Sequence, residues 1–141
     1  MTMKNENTPK EKAGVVAYRS EQSGEPHVLI VSARKIKDQW VFPVGSVEKD
    51  EPLEVAAQRE CLEESGYRVD IGEALPRVET ATDHRTVRFT FFLARVVGET
   101  DQWETDRQRK WVPVSQVVDM LPEIFQGIGR RAVKRILSAA K

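Results

Sequence analysis

The stretch Gly45–Tyr67, GSVEKDEPLEVAAQRECLEESGY, decides how the rest of the chain is read. Asp50 and Glu51 precede Pro52, a residue suited to the first position of a helix, and Gly66 fits just past the end of one. The spacing therefore predicts a helix over 52–65, with Leu53, Ala56, Ala57 and Leu62 available for an apolar face. Glu60, Glu63 and Glu64 stand at i, i+3 and i+4, so their carboxylates share one side of that helix. Three anions so placed repel each other and weaken the helix unless a cation neutralises them. Their hard oxygens suit magnesium or manganese. By itself, E-x-x-E-E reads more economically as a solvated acidic face.

Outward from the helix, the pattern is of mixed strands. Short apolar or β-branched runs at 13–18 and 28–31 predict strands separated by a turn over 20–26. Residues 40–44 read as extended, with Pro43 arguing against helix. Residues 67–71 and 75–81 are weaker strands, 87–97 a long one rich in Phe and Val, and 109–114 a short one. A brief helix is expected over 115–121 and an amphipathic one over 129–140, with Ala132, Val133, Ile136 and Leu137 inward. Residues 1–10 are polar and read as a flexible tail, leaving 11–141 as one domain. Strands mixed with helices in this order predict an α/β sandwich.

Composition sets the outer bounds. The chain has 141 residues, 40% apolar and 31% charged, enough to bury a core without disulfides. Its formal net charge is zero, which argues against a general affinity for nucleic acid or membrane. The charge is nevertheless segregated. Residues 45–66 carry seven acids and two bases, and residues 126–141 carry five bases and no acids. The bases of the last helix, Arg130, Arg131, Lys134 and Arg135, read best as a solvated outer face. One cysteine, Cys61, excludes an intrachain disulfide. With no apolar run of membrane-spanning length and no signal-like start, a cytoplasmic protein is expected.

Gly45, Glu51, Arg59, Glu60, Glu63, Glu64 and Gly66 together resemble the Nudix box, G-x5-E-x7-R-E-U-x-E-E-x-G-U, at every fixed position. A coincidental match is on the order of 10⁻⁷ per frame. Cys61 and Tyr67 occupy the positions usually held by bulky aliphatics. The resemblance implies a Nudix fold, an α/β/α sandwich with a mixed sheet, and a metal-dependent hydrolase that cleaves a diphosphate linkage by water attack on phosphorus. It implies Glu60 and Glu64 as ligands of Mg2+ or Mn2+, with Gly45 in the loop whose carbonyls approach the metal. It further implies Arg59 pairing with box acids, Glu51 foremost, and Glu63 as candidate general base.

Segments outside the box, 28–34, 38–40, 84–86 and 103–111, are similar to the branch that hydrolyses diphosphoinositol polyphosphates and dinucleoside polyphosphates. ADP-ribose, nucleoside triphosphates and RNA 5′ ends are the alternative targets. A non-catalytic nucleotide-binding module is disfavoured because every box glutamate is kept. Candidate phosphate ligands are Lys10, Lys12, Arg34, Lys35, His84, Arg85 and Arg107. Glu104 lies in a loop from which members often draw a further metal ligand. Val44 departs from the Gly or Lys common before the box glycine. Trp40 and Trp111 read as packing residues, while Trp103, in a polar loop, is a candidate to stack a base.

Overall fold

The computed structural model describes residues 8–22, 24–81 and 84–139. Most of the expected tail lies outside them, but Lys10, placed in that tail by sequence, opens the first strand. The strands are β1 (Lys10–Arg19), β2 (His27–Ser32), β3 (Trp40–Val41), β4 (Val44–Ser46), β5 (Tyr67–Ala74), β6 (Val78–Ala81), β7 (Thr86–Glu99) and β8 (Arg109–Pro113). The helices are α1 (Leu53–Ser65), α2 (Val114–Met120) and α3 (Glu123–Ala139). None is long and apolar enough to cross a membrane.

One mixed sheet runs β3-β2-β1-β7-β5, with β4 beside β1, β6 beside β7 and β8 beside β2. β1 and β7 are parallel from Lys10↔Val87 to Tyr18↔Arg95. This long pairing draws Lys10 to Lys12 into the sheet, beyond the apolar run that marked the strand in sequence. Side chains alternate across the sheet. Ala13, Val15, Ala17, Leu29, Phe92 and Ala94 meet Ala56, Ala57 and Cys61 of α1 on one face. Val16, Val28, Ile30, Phe91 and Leu93 meet Val117, Phe125, Ile128, Ala132 and Ile136 on the other. Helices therefore cover both faces, giving an α/β/α sandwich.

Helix α1 begins at Leu53, with extended Pro52 capping it and accepting from the Ala56 N–H at 3.0 Å. Gly66 closes it at φ 78°, a left-handed conformation in which a Cβ would stand 2.7 Å from the Thr100 carbonyl oxygen. The inward side of α1 is the expected one at Ala56 and Ala57 and departs from it at Leu53 and Leu62. Ala56 and Ala57 are buried with Cys61, Glu64 and Ser65, while Leu53 and Leu62 are only half-buried. Helix α3 starts six residues before the expected Gly129. Gly129, expected as the first residue of that helix, lies inside it where α3 presses on the end of α2: a Cβ there would lie 2.7 Å from Leu121 Cδ1. Leu137, expected inward, is exposed, and Phe125 and Ile128 take up the burial.

The extended piece at 40–44 is split into β3 and β4, with Phe42 and Pro43 buried between them. The Pro43 carbonyl accepts from Val15 N–H at 3.0 Å, which ties the segment before the box to the central strand.

Candidate active site

A cleft of about 540 Å³ opens where α1, β4, the end of β2 and the 103–107 loop converge. Its lining includes Gly45, Glu60, Glu63 and Glu64 from the box region, Lys12, Arg34, Lys35 and Arg107 as bases, and Glu104. Lys10, His84 and Arg85, expected to bind phosphate, are not part of that lining: Lys10 is exposed at the start of β1, and the other two are exposed before β7.

The burial of Glu64 sets the character of the cleft. It is 2% exposed, and burial together with a hydrogen bond to Glu60 pushes its carboxyl well above the usual range. Arg107 Nη2, at 3.9 Å, and the Val44 N–H, at 3.3 Å, pull the other way. Two carboxyl groups this close need a proton or a cation between them. Gly45 packs directly on Glu60, because any Cβ at that position would collide with the Glu60 carboxylate. Val44, whose valine side chain supplies no charge, instead serves Glu64 through its backbone and packs its side chain on the core. No pattern of side-chain types could have announced that contact.

Arg59 organises the outer half of the box. Its Nε and Nη2 donate to the two Glu51 oxygens at 2.8 and 2.9 Å. Nη2 also reaches the Ser46 carbonyl at 3.0 Å, and Nη1 reaches Glu60 at 2.9 Å and Glu63 at 3.2 Å. The bidentate fork holds Glu51 down at about 2, helped by the Glu48 N–H, and Arg59 itself is held above its ordinary value chiefly by Glu51. Glu63 remains open to the cleft. Lys12 is pushed below its ordinary value by burial and by neighbouring Lys10 and Lys35.

Among the described residues no group of three or more His, Cys, Asp or Glu side chains is arranged to hold a metal. Glu60 and Glu64, hydrogen-bonded to each other in the cleft, could supply two hard oxygen donors. That fits magnesium, which commonly takes one or two carboxylates and keeps several waters.

The tryptophans serve packing. Trp40 packs against the α3-side core beneath Lys110, and Trp111 donates to the Tyr67 hydroxyl at 3.0 Å. Trp103, the candidate for base stacking, carries the Arg109 guanidinium 3.8 Å from its ring centroid and donates to the Arg107 carbonyl at 3.1 Å.

The NUDIX domain profile matches residues 8–135, and the chain belongs to that family. It is 33% identical over 114 residues to diphosphoinositol polyphosphate phosphohydrolase 2 of Rattus norvegicus, spanning 79% of this chain and 63% of that protein. It is 31% identical over 116 residues to diphosphoinositol polyphosphate phosphohydrolase 3-alpha of Mus musculus, spanning 79% and 69%. The chain thus matches about 63% of the first relative's length. Among solved structures, a C. elegans Ap4A hydrolase binary complex superposes with a TM-score of 0.74 at 23% identity, covering 92% of this chain and 98% of that one. A NUDIX hydrolase from Nitrosomonas europaea superposes with a TM-score of 0.72 at 16% identity, covering 95% and 92%. At these identities the structures establish the Nudix fold.

Proposed function

We propose that the protein is a divalent-metal-dependent diphosphohydrolase acting on a highly phosphorylated small molecule, a diphosphoinositol polyphosphate or a dinucleoside polyphosphate. The observation that carries this reading is the pairing of buried Glu64 with Glu60 on the floor of a cleft whose walls hold Lys12, Arg34, Lys35 and Arg107. The substrate class is supported by the names of the curated relatives.

In this mechanism Glu60 and Glu64 would hold Mg2+ or Mn2+. When bound, the cation screens phosphate charge, polarises phosphorus and makes an attacking water more acidic. Glu63, open to the cleft and hydrogen-bonded by Arg59, is placed to accept a proton from the attacking water. Arg59 and Glu51 fix the direction of Glu60 and Glu63. Lys12 and Arg107 take phosphate oxygens, and Arg34 and Lys35 hold the rest of the chain at the mouth. A cytoplasmic setting goes with this reading, since the lone thiol of Cys61 is buried and has no disulfide partner.

A second reading, with nucleoside triphosphates, ADP-ribose or RNA 5′ ends as target, draws support from charge balance. Four bases in the cleft face four carboxylates, Glu60, Glu63, Glu64 and Glu104, so the side chains alone carry no surplus, and a bound divalent cation would supply the only excess for extra phosphates. A magnesium-dependent phosphate-release screen across inositol pyrophosphates, dinucleoside polyphosphates, nucleoside triphosphates, ADP-ribose and capped RNA separates the two. Highest kcat/KM on the first two classes, with Arg34→Ala raising KM for them, is expected. Equal efficiency on all five would remove the substrate assignment, and full activity in excess chelator would remove the metal.

A further inference from the structure

The helix that bears the candidate carboxylates ends in a seam closed by a distant segment. Carbonyls at the C-terminal end of a helix lack partners within it. At the end of α1 three of them are taken from outside: Glu63 accepts from the Glu104 N–H at 2.9 Å, Gly66 from the Thr100 N–H at 2.7 Å, and Ser65 from Arg109 Nη1. Arg109 is the one side chain among these three donors. Its guanidinium carbon lies 3.8 Å from the centroid of the Trp103 ring and 4.4 Å from that of the Tyr67 ring, and Nη2 reaches Glu99 at 3.1 Å. The seam is tight: a Cβ at Gly66 would stand 3.1 Å from Trp103 and 3.2 Å from Arg109.

The electrostatics of α1 favour a cation here. Glu60, Glu63 and Glu64 sit toward the negative end of the helix dipole, and the last turn has no base of its own. Arg109 supplies that charge from β8. It also joins the two walls of the cleft. Arg107 belongs to the basic wall, its Nη1 anchored to the Ser32 carbonyl at the end of β2 at 2.6 Å. Its own carbonyl accepts from the Trp103 indole N–H at 3.1 Å. Arg109 therefore grips the carboxylate helix through Ser65 and the Arg107 loop through Trp103, while itself standing outside the cleft lining.

We propose that Arg109 is a positioning residue, which fixes the loop bearing Arg107 against the carboxylate end of α1 and so sets where a phosphate chain lies relative to Glu60 and Glu64. The role rests on the hydrolase reading above. Lysine is no substitute, because it keeps the charge but cannot fork between Ser65 and Glu99 from between two rings.

The test is a double-mutant cycle in steady-state kinetics with magnesium, on diadenosine tetraphosphate and on a diphosphoinositol pentakisphosphate. Small misplacements of reacting groups are costly, so Arg109→Lys should lower kcat about tenfold with KM little changed. In an Arg107→Ala background the same substitution should cost far less, because the group being positioned is gone. Trp103→Phe keeps a ring but loses the indole donor, and should lower kcat in the same direction, non-additively with Arg109→Lys. Amide exchange at Glu104 and Thr100 should quicken in Arg109→Lys while that of α3 stays unchanged. Equal losses in both Arg107 backgrounds, a lowered Tm with kcat intact, or unaltered exchange at Glu104 and Thr100 would each overturn the positioning role alone. Turnover of neither compound by the unchanged protein overturns the hydrolase reading and this role with it.

Discussion

The two faces of the sheet are packed by opposite means. Toward α3 the core is built of large side chains: Phe42, Phe89, Phe91 and Phe125 meet edge-on or stacked, with ring centroids 5.0 to 6.2 Å apart. Toward α1 the fully buried apolar residues of the helix are small, Ala56, Ala57 and Cys61, and the sheet sets Ala13, Ala17 and Ala94 among its larger Val15, Leu29 and Phe92. Large side chains bury more area and contribute more stability. Small ones let the α1 backbone approach the strands closely. That approach seats Glu64 at 2% exposure beside Glu60 and leaves no room for a Cβ at Gly45. One face is therefore spent on holding the fold and the other on placing carboxylates.

The largest expected effect falls on the α1 face. Glu64→Gln keeps the shape of the side chain but removes a carboxylate from the site. Turnover should drop about 10³-fold, close to 4 kcal/mol of barrier, while circular dichroism and Tm change little. A loss under tenfold would show that the face does not hold the catalytic centre.

Phe91→Ala tests the opposite face. Removing a buried phenyl ring should cost about 3–5 kcal/mol in urea unfolding, with kcat of the remaining folded protein within a few-fold of normal. A collapse of kcat at low temperature, where the variant is still folded, would break the division of labour.

Ala57→Leu sharpens it. Overpacking the helix–sheet contact should cost about 1–3 kcal/mol, less than Phe91→Ala. Yet it should lower turnover more than Phe91→Ala does, because small displacements of catalytic groups are expensive. Activity tracking stability alone across the two variants would refute the distinction.

The smallest effect is on the pH dependence of stability, and here two glutamates of the box region differ in sign. Glu64 is raised in the fold by burial and by Glu60, so the metal-free folded protein binds more protons than the unfolded chain over a pH window that opens above the ordinary carboxylate range. Its contribution is present at low pH and is lost as pH rises through that window. Glu51 is lowered by Arg59, so its contribution is present above about 4.5 and is lost as pH falls toward about 2. Tm of the chelated protein should fall from mildly acid to alkaline pH, and Glu64→Gln should flatten that decline. An unchanged slope in the variant would assign the decline to other groups.

The division between the faces explains what was legible in sequence. Helix α1 and its stop at Gly66 follow from local chemistry, as do the long Phe- and Val-rich strand and the sandwich architecture. The side of α1 that turns inward does so only in part: Ala56 and Ala57 are buried as read, but Leu62, more apolar than Ser65 or Glu64, is only half-buried. Tertiary seating overrides hydrophobicity at that position. Likewise Gly129 reads as the start of the last helix, whereas in the fold it sits inside α3 at a helix–helix contact. In the candidate site, the carboxylates and Arg59 are named by spacing. The Val44 N–H, the convergence of Arg34 and Arg107 on Glu104, and the position of His84 and Arg85 outside the cleft lining depend on contacts between distant segments, which spacing does not encode.

Cys61 turns this architecture into an instrument. It is the chain's one thiol, fully buried under α1, and burial pushes its pKa up to about 12. Alkylating reagents attack thiolates, so the closed protein offers them nothing. Modification has to wait for α1 to lift from the sheet. The rate at which a reagent such as iodoacetamide consumes Cys61 therefore clocks the opening of the segment that bears Glu60 and Glu64. A divalent cation gripping those glutamates would slow that clock in proportion to its occupancy, giving a reading of metal affinity that needs no substrate at all.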